Sequence, residues 1–133
     1  MKRRTAREKA LQALFQMDMN EMEPLEAIEN VMEDEEKDSY LESLVLGVKE
    51  HKEEIDQLIQ AHLERWKMER LARVDLNILR VALFELIYKK EDVPQNVVLN
   101  EAVEISKRFG DEKSSKFVNG ILSKLLDTLN SRD

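Results

Sequence analysis

Apolar positions recur at helical spacing along almost the whole chain, and they are densest in residues 75–88, DLNILRVALFELIY. On a wheel of roughly 100° per residue, Leu76, Ile78, Leu79, Ala82, Leu83, Leu86 and Ile87 fill about half the circumference. Val81, Phe84 and Tyr88 fall on the other half, between Asn77, Arg80 and Glu85. A helix with apolar residues on both halves is sheathed by neighbours on most sides. It is too short, and too interrupted by Arg80 and Glu85, to provide the roughly 20 apolar residues that a bilayer requires. The run therefore predicts the central helix of a globular core, capped by Asp75.

The same period predicts helices around it. Residues 4–19 set Ala6, Ala10, Ala13, Leu14 and Met17 in a stripe of mostly small side chains, with Phe15 roughly 80° or more away from it. Pro24 suits the first turn of a short helix with Leu25, Ile28, Val31 and Met32 inward. From Ser39 onward, Tyr40, Leu41, Leu44, Val48, His51, Ile55, Leu58, Ile59 and His62 hold one face, which predicts a single helix of about 25 residues with Gly47 as its weak point. Residues 65–73 form a link anchored by Trp66 and Leu71. Pro94 opens a helix with Val98, Leu99, Ala102, Val103, Ile105, Ser106 and Phe109 inward, and Gly110 is its expected left-handed stop. The last helix, near 113–129, buries Val118, Ile121, Leu122, Leu125 and Leu129. Six or seven helices without a strand predict an all-α helical bundle.

Composition supports this reading, because three glycines and two prolines in 133 residues leave few turn residues for a many-stranded sheet. The absence of cysteine excludes disulfides and thiolate chemistry and fits a reducing, cytoplasmic setting. No apolar segment of signal-peptide type follows the basic start.

Charge changes the picture more. The net charge is −7, yet residues 1–9 carry five cations against Glu8 alone, while residues 18–38 carry ten acids against Lys37. Charges act over roughly 8 Å at physiological salt, so an acidic protein can keep a basic docking surface. The acidic run reads as a solvated face and loop. A second basic cluster, Lys107, Arg108, Lys113, Lys116 and Lys124 against Asp111 and Glu112, surrounds Phe117 at the edge of the last helix's apolar stripe. Cations follow phosphates and an edge aromatic can stack an unpaired base, although the same pattern also describes a core phenylalanine among solvated lysines. Gly120 inside that helix costs about 1 kcal/mol relative to Ala, so close approach by a helix or a ligand is expected there.

Catalytic chemistry has no comparable signal. His51 and His62 are about 16 Å apart along a helix and cannot share a metal from it; both read as core or boundary residues. There is no glycine-rich phosphate loop and no nucleophile elbow.

Three stretches, AREKALQALFQ (6–16), VDLNILRVALFEL (74–86) and VPQNVVLNEAVEISKRFGDEKSSKFVNGIL (93–122), closely resemble the bacterial NusB family of transcription antitermination factors. NEAVEISK, the FG stop and KFVNGIL at this spacing carry the resemblance; residues 20–63 share only the helical pattern. The resemblance implies two small three-helix sub-bundles, here about 1–63 and 64–133, with no enzyme activity, no cofactor and no metal. It implies binding of the boxA element of ribosomal RNA transcripts together with the ribosomal protein NusE, within the RNA polymerase antitermination complex. It maps Arg3, Arg4 and Arg7, with Lys2 beside them, onto RNA-backbone contacts, and Lys116 and Phe117 onto the same RNA surface. Lys113 stands at a position that is acidic in some relatives. Phe15, often Tyr in relatives, and Asp75 match positions that face NusE. Two other readings stay open at this point: a recognition module of an RNA methyltransferase system, which would call for a catalytic domain not present in these residues, and a pure protein-interaction bundle. A homodimer built on Phe15 or the small-residue stripe also stays open.

Overall fold

The structure, a computed structural model, describes residues 1–33 and 36–132; Asp34 and Glu35 of the acidic run, and Asp133, lie outside the described residues. The described residues form seven α-helices: α1 (Arg3–Asn20), α2 (Pro24–Met32), α3 (Ser39–Glu50), α4 (Lys52–Ala61), α5 (Arg73–Tyr88), α6 (Gln95–Phe109) and α7 (Glu112–Asn130). A 3₁₀ turn, Met68–Arg70, sits between α4 and α5, and there is no strand among the described residues. The expected all-α bundle is what forms. No helix among the described residues is long and apolar enough to cross a membrane.

The apolar run at 75–88 takes the central place predicted for it. α5 packs against α1, α3, α4, α6 and α7, and every residue from Asp75 to Leu86 is buried. α1, α2 and α3 pack on one another, α5, α6 and α7 do the same, and α4 lies on α3, α5 and α7. Leu41, Leu44, Leu76, Leu79, Leu83, Leu122 and Leu125 are almost wholly removed from water, each contributing about 1.5–3 kcal/mol of transfer free energy.

Burying α5 on all sides also buries its polar side chains, which the fold satisfies with charges from distant helices. Arg80 pairs with Asp56 of α4 at 2.8 Å and Asp18 of α1 at 3.0 Å, and Asn77 donates to Asp18 at 3.1 Å. Glu85 accepts two hydrogen bonds from Arg7, both 2.8 Å, and one from the Tyr40 hydroxyl. An acid left alone there would carry the full desolvation cost of a buried charge.

Six expectations require correction. The predicted 25-residue helix divides into α3 and α4 at His51, although Ile55 still donates to the His51 carbonyl, so the chain bends rather than stops. The bend lets the His51 ring stack on Tyr88, with centroids 4.0 Å apart. Gly47 stays helical, and its missing side chain admits Phe84: an added Cβ would stand 2.2 Å from that ring. Leu25 is 61% exposed, and Trp66 is exposed rather than anchored in the link. Gly110 has φ −118°, outside the left-handed region; its lack of a Cβ matters because one would lie 2.5 Å from the Ser114 hydroxyl as α7 turns back. Asp75 sits in the first turn of α5, whose N-cap is Ala72, and makes no cap.

Candidate nucleic-acid and partner interface

The basic residues of α1 lie against acids. Arg3 donates to Asp92 at 3.1 Å and its guanidinium lies 4.2 Å from the centre of the Tyr40 ring. Arg4 holds Glu101 through its Nε at 3.1 Å, and this hydrogen bond, against opposing burial, keeps the Glu101 carboxyl below the usual carboxylate range. Arg7 is buried between Glu85 and Glu101, with its Nη1 3.3 Å from Glu101. Lys2, at the N-cap position, is exposed. The start of α1 thus offers Lys2, and half-exposed Arg3 and Arg4 that already hold carboxylates, while Arg7 joins α1 to α5 and α6.

The α7 cluster is different in kind. Asp111 caps the helix by accepting from the Ser114 amide at 2.8 Å, which fixes where the first turn points. Lys113, Phe117, Gly120 and Lys124 then follow at three- and four-residue steps along one face. Lys113 and Lys116 are exposed and make no ion pair among the described residues. Phe117 is half-buried against the core edge and borders a groove shared with His62, Trp66 and Lys124. An added Cβ on Gly120 would meet nothing, so no neighbouring helix explains the glycine.

The two clusters are not in direct contact. α1 packs on α2, α3 and α5, and α7 on α4, α5 and α6, so α5 is the helix that lies against both. α6 meets α1 through charged side chains: Glu101 pairs with Arg4 and Arg7, and exposed Arg108 reaches Glu8 at 2.9 Å.

Phe15, by contrast, shares a groove with Val74, the neighbour of Asp75 in the sequence. Phe15 is 38% exposed and lines an apolar groove with Leu11, Gln12, Gln16, Val74 and Phe109. Asp75 follows Val74 on α5; its Oδ1 is buried with no hydrogen-bond partner. Burial pushes its carboxyl above the usual range, hydrogen bonding with Ser114 opposes this, and nearby Asp111 adds to it.

Sequence reasoning missed Glu85 and Glu101 as the partners of the arginines, because pairs 78 and 97 positions apart leave no local pattern. It also missed Trp66 as an exposed ring, since helical periodicity says nothing about a residue in a link.

Grooves and charged faces without a metal cluster among the described residues define an all-helical binding module that presents a basic, ring-bearing face and an apolar face. The NusB family model matches residues 4–127. The transcription antitermination protein NusB of Bacillus velezensis is 53% identical over 131 residues, covering 98% of this chain and 100% of that one. A solved structure of the antitermination factors NusB and NusE in complex with double-stranded RNA superposes with a TM-score of 0.85 at 35% identity, covering 95% of this chain and 96% of that one. Thermotoga maritima NusB gives 0.86 at 39% identity, covering 96% and 92%. The chain belongs to the NusB family.

Proposed function

We propose that this protein is a non-catalytic transcription antitermination factor that binds the boxA element of ribosomal RNA transcripts together with NusE, and so joins a processive RNA polymerase complex in the cytoplasm. The observation that carries the RNA half is the pair of unpaired exposed lysines, Lys113 and Lys116, beside half-buried Phe117 on α7. Lysines position phosphates without reading sequence, and an aromatic edge takes an unpaired base. Lys2, Arg3 and Arg4 extend the phosphate track at the start of α1, and Arg7 holds that helix in place through Glu85. Phe15 and its groove, with the unpartnered Asp75 oxygen beside it, form the seat for NusE, which would supply the missing donor. A relative of 35% identity solved with NusE and RNA supports the two-partner reading.

Gel-shift titrations with boxA RNA and a scrambled RNA, each with and without NusE, test it. Affinity for boxA should exceed that for the scrambled strand, and NusE should widen the difference. Equal binding of both RNAs in the ternary mixture would overturn the specific claim.

A further inference from the structure

The groove beside Phe117 has a second ring. Trp66 is 56% exposed and lines it together with His62, Arg65, Ile121 and Lys124. The two aromatic rings line the same groove, and neither stacks on another aromatic ring among the described residues. The wall that bears Trp66 is tied down despite being a link. The Gln60 side-chain amide donates to the Trp66 carbonyl at 3.1 Å, and its oxygen accepts from the Met68 amide at 3.0 Å. His62 fixes the end of α4 to α7 through the Thr128 hydroxyl, 2.6 Å from its Nε2. A ring mounted on a braced link loses little further freedom when something stacks on it.

The charges around this groove favour a phosphate-bearing strand. Arg65 and Lys124 line it, and Lys113 and Lys116 stand exposed on the same helix. Glu64, the acid among the lining residues, lies 3.6 Å from Lys124 on the exposed rim. Gly120, next to the lining residue Ile121, leaves open space where a Cβ would stand.

Resting on the reading that Phe117 meets RNA, we propose that the Trp66–Phe117 groove is a stacking subsite for one unpaired nucleobase, with Arg65, Lys116 and Lys124 on the flanking phosphates. Alternating rings and cations match the repeat of a single strand, whereas a paired base has no open face to offer.

Trp66 is the only tryptophan in the chain, so its emission reports on this groove alone. Full-length protein should be titrated with a labelled single-stranded boxA oligoribonucleotide, following the label's anisotropy and the tryptophan emission together, with NusE present. Emission should quench with the same midpoint as the anisotropy rise, and a perfectly paired duplex should quench it far less. Trp66→Ala should weaken single-strand binding about tenfold, within the range for one lost stack, while Trp66→Phe retains most of the affinity. Because the ring is exposed, both variants should melt within a few degrees of the wild type. Anisotropy that rises while emission stays fixed and Trp66→Ala binds normally would overturn the subsite and leave RNA binding standing. Quenching by duplex equal to that by single strand would also overturn it. No anisotropy change with either RNA would remove the RNA reading and the subsite together.

Discussion

The start of α1 and the first half of α7 both carry cations in the sequence, and the fold treats them in opposite ways. Arg3, Arg4 and Arg7 each meet a carboxylate, whereas Lys113 and Lys116 meet none among the described residues. A cation already paired within the protein must exchange one anion for another when it binds a phosphate; an unpaired one gives up only water and counterions. The difference teaches that a basic stretch is a docking surface only to the extent that the rest of the chain leaves it uncommitted. In this molecule α1's arginines chiefly join helices, and α7's lysines chiefly face outward.

The sharpest way to break that contrast is to strand one of the committed cations. Glu85→Ala leaves Arg7 buried without its bidentate partner and removes the acceptor of Tyr40. Stability should fall by about 3–5 kcal/mol, measured by denaturant unfolding. Removing the uncommitted cations should do the reverse. Lys113→Ala with Lys116→Ala should leave the melting temperature nearly unchanged and weaken RNA binding several-fold at physiological salt, measured by filter binding.

Glu101→Gln is a smaller and subtler test, because it releases Arg4 without touching a basic residue. Binding of RNA of any sequence should tighten by at most about fivefold, the worth of an exposed pair. The same carboxylate carries a pH signature. Its pKa is lowered in the fold, so the stabilisation it gives is present above the ordinary glutamate value and is lost as pH falls through the lowered one. Unfolding of the wild type and Glu101→Gln should therefore converge at acid pH.

Asp75 has the opposite sign and the smallest effect. Burial raises its pKa, so the fold binds the proton more tightly than the unfolded chain, and the ionised form costs stability at neutral pH. Asp75→Asn should stabilise by less than about 1 kcal/mol at pH 7, with the gain disappearing as pH drops below the ordinary aspartate value. The same change should weaken NusE binding, measured by calorimetry, if the buried oxygen is kept for a partner's donor.

Much of this was legible beforehand, for identifiable reasons. The central helix, the inward faces of α6 and α7 and the place of Phe15 off the inward stripe of α1 follow from a 3.6-residue period, which is a local property. NEAVEISK, the FG stop and KFVNGIL carried the family resemblance. Arg7's burial was not legible, because it depends on Glu85 and Glu101, acids that only the assembled bundle brings beside it. Asp75 looked like a cap because an acid before an apolar run usually is one; the helix instead begins two residues earlier, at Arg73. The bend at His51 was hidden because the apolar face continues through it in phase.

Committed and uncommitted cations should respond differently to salt, and the salt dependence of RNA binding measures that directly. For single-stranded RNA, each phosphate neutralised contributes a slope of about 0.7 in log affinity against log salt. Lys113→Ala with Lys116→Ala should lower the slope by about 1.4. The paired replacement Arg7→Met with Glu85→Leu, which leaves neither charge stranded, should leave the slope as it is in the wild type. A slope flattened as much by the α1–α5 replacement as by loss of the two lysines would contradict the account.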